Sequence, residues 1–346
     1  GNHGCEKEAR VRPCPGSGAA TRTAVDKRRY FIRKVLNAVL TIILVASFNF
    51  ALFRILPGDP ARLLLPKGKT DPSVIERQRK TFNLDKPMWQ QFIFYWRDTV
   101  KGEFGMSFSE KRPVTEVVAE RIWPTVLLVG VGTIFATVVG MIMGVFAGWR
   151  RNGTYDVVST NLGMVLYAMP TFWFGLLMIM LFATKLRWFP TGRMEEPGVE
   201  LSGFAAFQSL AKHLFLPAFT FAIAYVGEYH LIMRSSITGV MKEDFALTAR
   251  AKGLSENAVL WKHVVPNAML PTVTIVMMNL GFVMSGAILA ESVFNWPGLG
   301  LLSYDSMQKR DYPVMQAVFL IASIAVIVAN LIADIMYYYL DPRVQA

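Results

Sequence analysis

The chain has 346 residues, of which 53% are hydrophobic and only 18% are charged, and its formal net charge is +11. A soluble protein of this length carries more charge and fewer long apolar runs, so the composition excludes an ordinary soluble domain and indicates several membrane spans. The positive charges lie mostly outside the apolar runs, which favours a role in membrane orientation over nucleic-acid binding. Only Cys5 and Cys14 are present, and two cysteines cannot form a disulfide framework.

The N-terminal part of the chain predicts a tail followed by one span. Residues 1–29 are rich in Lys and Arg with scattered Pro and Gly, which predicts a disordered cytoplasmic tail. The first span is predicted over about 30–56, and its charge-free part, 35–53, is long enough to cross a bilayer. Basic residues at its start place the N-terminus inside, and the polar region that follows, about 57–120, is placed outside.

The second predicted span, about 124–149, carries a small residue at every fourth position. This spacing forms a flat ridge along one side of a helix, where a neighbouring helix can approach closely. The third span, about 157–184, has no charged residue, and Pro170 is expected to kink it. An outside loop with room for a short surface helix is predicted over 185–212. The ridge consists of Gly132, Ala136, Gly140, Gly144 and Gly148.

The fourth and fifth spans carry polar residues at membrane depth. Glu228 lies in the fourth span, about 213–233, and an intramembrane acid is a functional candidate by default. The alternative is that it pairs with a neighbouring helix or with the region of Arg234. The fifth span, about 270–290, is too polar for a lipid-facing helix and is expected to line a pathway or an interface. The candidate residues of a substrate pathway are Glu228, Asn279 and Ser285.

The sixth span is predicted over about 313–339. Asn330 and Asp334 lie one turn apart near its inner end, and a hydrogen bond between helices or at the lipid interface is the favoured interpretation of both. Six spans place both termini in the cytoplasm.

A polar, charge-bearing stretch from Lys242 to Pro271 separates the fourth and fifth spans. Acidic residues at its start and basic residues at 250 and 252 suit the dipole of a helix. Gly253 follows where a helix end requires a residue that tolerates positive φ, and Ser255 can cap a second short helix that is expected to end near Pro266. The pattern predicts a helix–Gly–helix hairpin, and either docking against a partner or a solvated loop would account for it.

The spacing within this hairpin resembles the EAA loop of ABC-importer permeases. Ala249 lies four residues before Gly253, and Pro266 lies thirteen residues after it. Further motifs are similar to the dipeptide/oligopeptide permease branch and follow in the family order over about 28–343. They include LPGDPA at 56–61, RPVTEVVAERI at 112–122, ESVFNWPGLG at 291–300, RDYP at 310–313 and LDPR at 340–343.

This resemblance implies an all-α integral membrane protein with six transmembrane helices and the ABC type I importer permease fold, over residues 30–343. It also implies that the cytoplasmic loop, about 235–268, is a coupling helix that contacts a partner ATPase. The small residues Ala246, Ala249 and Gly253 are expected to lie where the ATPase comes close. The coupling residues implied in this way are Glu243, Asp244, Phe245, Ala246, Ala249, Arg250, Gly253, Leu254 and Pro266.

The resemblance further implies the partners and the substrate class. A permease of the first, B-type position pairs with a second permease, with two ATPases that bind ATP and Mg, and with an external substrate-binding protein. The expected location is the inner membrane of a prokaryotic cell. Peptides are the implied substrates, with nickel or glutathione as alternatives, and neither a cofactor in this chain nor a nucleic-acid partner is expected.

Two other classes of function are weaker interpretations of the sequence. An ion-coupled secondary transporter would carry a proton on Glu228 or Asp334. An intramembrane enzyme needs paired catalytic residues at membrane depth, and Glu228 has no evident partner in the sequence. The stretch 68–70, Gly-Lys-Thr, looks like the end of a phosphate-binding loop, but Leu63 stands where the first glycine is required. We therefore predict no catalytic residue, metal site or nucleotide site in this chain.

Overall fold

A computed structural model of the protein describes residues 19–55, 85–196, 198–199 and 201–340, and these residues form helices and connecting turns without a β-sheet. Two short π-helical segments continue the α-helical ones, at Ile179–Lys185 and Leu260–Val264. The α-helices are α1 (Ala19–Ile55), α2 (Met88–Lys101), α3 (Val114–Trp149), α4 (Thr154–Ala168), α5 (Thr171–Met178), α6 (Gly203–Val240), α7 (Asp244–Ala251), α8 (Glu256–Val259), α9 (Val265–Val293), α10 (Leu299–Lys309) and α11 (Tyr312–Leu340).

Within the described residues, four helices are long and apolar enough to cross a membrane. They are α1 from Arg29 onwards, α3, α6 and α11, and the bent pair of α4 with α5 raises the number to five if it counts as one span. The predicted fifth span coincides with α9, which is a continuous helix, but the side chains of 278 and 280–287 lie outside the described ones. The all-helical membrane class is therefore confirmed, and the number six remains a prediction.

Several helices extend beyond the predicted spans. α1 begins at Ala19, inside the stretch predicted as a disordered tail, whose first 18 residues lie outside the described ones. α3 begins at Val114, within the predicted outside region 57–120, and α6 begins at Gly203, within the predicted outside loop. Charges mark where a helix leaves the bilayer, whereas the helix itself continues as long as its backbone is capped and its side chains pack. The sequence 56–84, with its LPGDPA and Gly-Lys-Thr motifs, lies outside the described residues.

The third predicted span is broken rather than kinked. α4 and α5 meet at an angle of 100° around Met169 and Pro170. Met169 is extended, with φ −78° and ψ 128°, because the ring of the following proline disfavours the helical conformation there. The sequence located the bend correctly, and the bend is large enough for a broken span or a re-entrant segment.

α6 is the central helix of the bundle. Within its apolar stretch of 18 residues 56% is buried, whereas the corresponding stretches of α1 and α11 are 17% and 11% buried. The glycine ridge of α3 lies directly against α6. A Cβ atom added to Gly140 would lie 2.8 Å from the Val226 carbonyl oxygen, and one added to Gly144 would lie 2.7 Å from the His230 carbonyl oxygen. Only hydrogen atoms fit at these positions, so the two backbones are in van der Waals contact. The rest of the ridge makes similar contacts: Gly132 with Phe221, Ala136 fully buried, and Gly148 with Ile237.

A buried carboxylate fastens α9, α10 and α3 together at the end of the bundle where α9 finishes. The side chain of Glu291 accepts hydrogen bonds from the Thr125 hydroxyl (2.6 Å) and from the backbone N–H groups of Gly300 (2.7 Å) and Leu301 (3.0 Å). The last two are free N–H groups in the first turn of α10, so Glu291 caps that helix from outside. The ESVFNWPGLG motif therefore has a structural role here.

A second carboxylate at the same end fixes the segment before α3. Asp311, fully buried between α10 and α11, accepts hydrogen bonds from the hydroxyls of Ser107 (2.6 Å) and Ser109 (2.9 Å). At the opposite end, Lys34 of α1 donates to Asp334 of α11 over 2.7 Å. The predicted helix–helix contact of Asp334 is thus an ion pair.

Candidate functional site: the α7–α8 hairpin and the polar cluster of the bundle

The hairpin predicted from the sequence is formed by α7 and α8. Gly253 has φ +77°, a left-handed conformation that glycine adopts without strain. Its N–H donates to the Arg250 carbonyl (2.9 Å), and the Leu254 N–H donates to the Ala249 carbonyl (3.4 Å). This pair of bonds is the Schellman arrangement that ends a helix. Ser255 then caps α8, since its hydroxyl accepts from the Ala258 N–H.

The second arm of the hairpin does not end at Pro266, contrary to the prediction. α8 continues through the π-helical turn Leu260–Val264 into α9, and Pro266 lies in the first turn of α9. A proline is tolerated in the first turn of a helix, where its missing N–H would be unpaired in any case. The π-helical turn in front of Pro266 has more residues per turn than the two α-helices that it connects. The arm and the fifth predicted span are therefore one continuous helical rod.

The small residues of α7 face the chain's own helices, which corrects their predicted orientation toward an ATPase. Ala246 is completely buried and Ala249 is 5% exposed. Both belong to an apolar cluster with side chains from α3, α6 and the π turn, among them Val145, Ile237 and Val264. Sequence spacing identified the face they share, but only the tertiary structure shows what covers it. A bulky residue at 249 would therefore disturb the permease itself.

Arg250 holds the two arms of the hairpin together and ties them to α3. Its guanidinium donates to the Glu256 carboxylate at 3.1 Å and 3.4 Å, and it lies over the Trp149 ring with 5.7 Å between the Arg250 Cζ and the ring centre. Each contact is weak by itself because the groups are partly exposed. Together with the glycine turn and the buried alanines, they make the hairpin a compact body that is attached to the bundle.

The outward surface of the hairpin carries apolar side chains. Phe245 is 39% exposed, Leu247 is 53% exposed and Trp261 is 51% exposed, and Leu254 at the turn is also exposed. The acidic residues Glu243 and Asp244, together with Gly253, lie on the same exposed hairpin. A mixed apolar and charged patch on a braced helical hairpin has the composition of a protein-docking surface.

A polar cluster lies between α6 and α9 within the bundle. The Asn279 side-chain amide donates to the Glu228 carboxylate over 3.2 Å and lies 3.5 Å from the Tyr229 hydroxyl. The structure thus brings together two of the three predicted pathway residues. Ser285 lies six residues further along α9, and its side chain is outside the described ones. Glu228 is only half-buried, so it is open on one side.

The sequence analysis missed the strongest ionic contact of the described bundle, which joins α4 to α6. Arg234 pairs with Asp156 through its Nε, and its Nη2 donates to the Asp156 Oδ2 over 2.8 Å. The Asp156 side chain is only 2% exposed, and it also accepts from the Asn152 N–H (2.9 Å) before α4. Arg234 is therefore engaged by Asp156 and is not the partner of Glu228.

Comparisons with known proteins assign this architecture. The family described as "Binding-protein-dependent transport system inner membrane component" matches residues 122–346, and "Binding-prot-dependent transport system membrane comp, N-term" matches 27–129. Proteins named "Glutathione transport system permease protein GsiC" from Escherichia coli (strain K12), Escherichia coli O1:K1 / APEC and Shigella dysenteriae serotype 1 (strain Sd197) are each similar to the chain. Each is 37% identical over 316 residues, which cover 91% of this chain and 98% of the relative. The chain therefore belongs to the family of inner-membrane permease components of binding-protein-dependent ABC transport systems, and it is a transport subunit rather than an enzyme.

Proposed function

We propose that the α7–α8 hairpin receives the movement of partner ATPases and passes it to the spans of this permease. The observation that carries the proposal is the continuity of α8, the π turn and α9, which links the exposed hairpin to Asn279 through helical residues alone. The docking surface is formed by Phe245, Leu247, Leu254 and Trp261, with Glu243 and Asp244 at its edge. Arg250 and Gly253 fix the hairpin's shape, Ala246 and Ala249 attach it to the bundle, and Pro266 starts the rod.

The rest of the proposed assembly follows from membership of the family. A second permease completes the translocation pathway, two ATPases bind ATP and Mg, and an external binding protein delivers the substrate. We place both termini and the hairpin on the cytoplasmic side, and the basic residues at the start of α1 support this placement. An ion-coupled secondary transporter would need Glu228 or Asp334 as its proton carrier. Asp334 is paired with Lys34, which makes it the weaker candidate of the two.

We propose peptides as the substrate class, with glutathione-like tripeptides included. The support is the peptide-branch motifs together with the relatives named for glutathione transport. Glu228 and Asn279 offer a carboxylate and an amide within the bundle, and such groups can pair with the amino and peptide groups of a short peptide in transit.

The docking surface is tested by Leu247→Glu in the complete complex. Leu247 is exposed, so the substitution leaves the packing of the permease intact but places a charge inside a buried apolar contact. We expect loss of the ATPase subunits in a detergent pull-down, or their retention with loss of the ATP hydrolysis that the loaded binding protein stimulates. Val199→Glu, an equally exposed apolar position in the loop before α6, is the matched control. Full association and full stimulated hydrolysis in Leu247→Glu would show that this surface does not dock.

The pathway cluster is tested by Glu228→Gln. The glutamine is isosteric and removes only the charge, so we expect normal assembly with a clear reduction of uptake or a change in its dependence on pH. Uptake of a labelled peptide into proteoliposomes at several pH values measures this. Transport that matches the wild type across that range would make Glu228 a purely structural residue.

A further inference from the structure

A cavity of about 390 Å³ lies away from both sites, between the last turn of α1, the inner face of α2 and the first turns of α11. α2 closes it from one side, because Phe92 and Tyr95 pack on Phe50 of α1 with ring centres 5.3 Å and 5.4 Å apart. α1 and α11 form the other wall, and they are linked there by the Asn49 amide, which donates to the Gln316 carbonyl over 3.0 Å. The volume is in the range of sites that bind small molecules or a headgroup.

Two opposite charges line this cavity, and neither forms an ion pair within the described residues. Arg54 lies over the Phe50 ring, with 5.5 Å from its Cζ to the ring centre, and it has no carboxylate partner among the described residues. Glu103 likewise makes no ion pair within the part of the chain that the structure describes, and Asp98 is already engaged by Arg97 over 2.9 Å. A cation and an anion that line one cavity without pairing with each other suit a ligand that carries both charges.

The cavity also contains an unsatisfied polar group. Gln91 is only 7% exposed, and its side-chain nitrogen donates to the Lys86 carbonyl over 2.7 Å. Its side-chain oxygen is completely covered, and it has no hydrogen-bond partner in the part of the chain that the structure describes. A buried acceptor of this kind normally has a partner, and Gln91 is one of the residues that line the cavity.

The surroundings of the cavity indicate that the ligand comes from the membrane. Trp89, Ile93, Trp96 and Val100 form one stripe along α2, and three of them are more than half exposed, with values of 62% for Trp89, 54% for Ile93 and 79% for Val100. This spacing is that of a helix lying at the membrane–water boundary with its apolar side in the lipid. The two spans that line the cavity, α1 and α11, are the least buried of the four long apolar helices of the described chain.

We propose that this cavity binds the zwitterionic headgroup of a phospholipid of the phosphatidylethanolamine type. Arg54 receives the phosphate, since a guanidinium matches phosphate oxygens. Glu103 receives the ammonium group, because a carboxylate forms charge-assisted hydrogen bonds with it. The acyl chains lie along the exposed side of α1, where Phe48 and Leu52 are 67% and 42% exposed. The lipid thereby joins α2 to the peripheral pair of α1 and α11.

The test uses the complete importer complex, purified in detergent and stripped of lipid. Native mass spectrometry measures how much phosphatidylethanolamine, or phosphatidylglycerol as a lipid with phosphate but no amine, each complex retains. We expect the wild type to prefer phosphatidylethanolamine. Arg54→Gln is expected to lower retention of both lipids by roughly tenfold, because a charge-assisted hydrogen bond to the phosphate is lost. Glu103→Gln is expected to abolish the preference while leaving phosphatidylglycerol binding unchanged.

The control is Lys101→Gln, which removes an exposed positive charge of α2 that does not line the cavity, and it should retain lipid as the wild type does. If Arg54→Gln fails to assemble, Glu103→Gln carries the test, because Glu103 is exposed at the cavity rim and its loss leaves the packing intact. Equal retention of both lipids by the wild type, or unchanged retention in Arg54→Gln, overturns the proposal. Binding of soluble O-phosphoethanolamine as tightly as the lipid would also overturn it, since the site would then take a small zwitterion from solution.

Discussion

Replacing Asp156 with alanine is expected to destabilise the permease by about 1.5–3 kcal/mol, the usual contribution of hydrogen bonds to a charged group, because Arg234 is itself 28% exposed. The Asp156 side chain is 2% exposed, so the substitution leaves the guanidinium of Arg234 without its counter-charge inside the contact between α4 and α6. It also leaves the Asn152 N–H at the start of α4 unpaired. The thermal unfolding midpoint of the purified complex in detergent measures the effect, and a drop of several degrees is expected.

Two further variants separate the ion pair from a general loss of packing. Asp156→Ala combined with Arg234→Met removes both charges, so it should be less destabilising than Asp156→Ala alone. Glu120→Ala breaks an exposed pair with Arg112 and should leave the midpoint unchanged. If Asp156→Ala has the same thermal unfolding midpoint as the wild type, the ion pair does not stabilise the contact between α4 and α6.

Replacing Gly140 with leucine is expected to abolish most of the folded permease. Even a Cβ atom there would lie 2.8 Å from both the Val226 carbonyl oxygen and the Tyr229 Cβ, so a leucine must push α3 and α6 apart. Overfilling of a packed contact typically costs about 1–3 kcal/mol, and here the central helix pair of the bundle is affected along its length. The amount of monodisperse complex after size-exclusion chromatography measures the outcome.

The matched control for this variant is Gly130→Leu in the same helix. A Cβ atom at Gly130 meets nothing within 4 Å, so the same change of residue adds bulk on an open side of α3. Comparable yields of the two variants would mean that α3 and α6 tolerate separation at the ridge.

Local signals in the sequence predicted local features of the structure. Gly253 and Ser255 specify a turn and a cap through their own backbone and hydroxyl chemistry, and both are placed accordingly. The four-residue spacing in α3 predicted a close contact, because small side chains at that period act on any neighbour. The apolar runs likewise predicted the four long apolar helices and the bent pair, since length and lack of charge are properties of each segment alone.

Features that depend on distant segments could not be predicted in this way. Asp156 and Arg234 are 78 positions apart, and nothing in either neighbourhood indicates the other. The helices α1, α3 and α6 extend past the predicted spans, into segments where polarity no longer separates helix from loop. The orientation of Ala246 and Ala249 depends on whether the bundle or a partner covers them, and spacing identifies only the face that they share.

The uninterrupted course of α8, the π turn and α9 has a geometric consequence for transport. Glu256 and Asn279 lie on one rod, and at 1.5 Å per residue they are separated by roughly 35 Å along its axis. In a helix of that length, a small tilt at the hairpin end produces a sideways displacement at Asn279. The pair of α3 and α6 is held together by backbone contact and provides the fixed frame for that tilt. The hydrogen bond from Asn279 to Glu228 joins α9 to α6, so a tilt of α9 against α6 is expected to change its length.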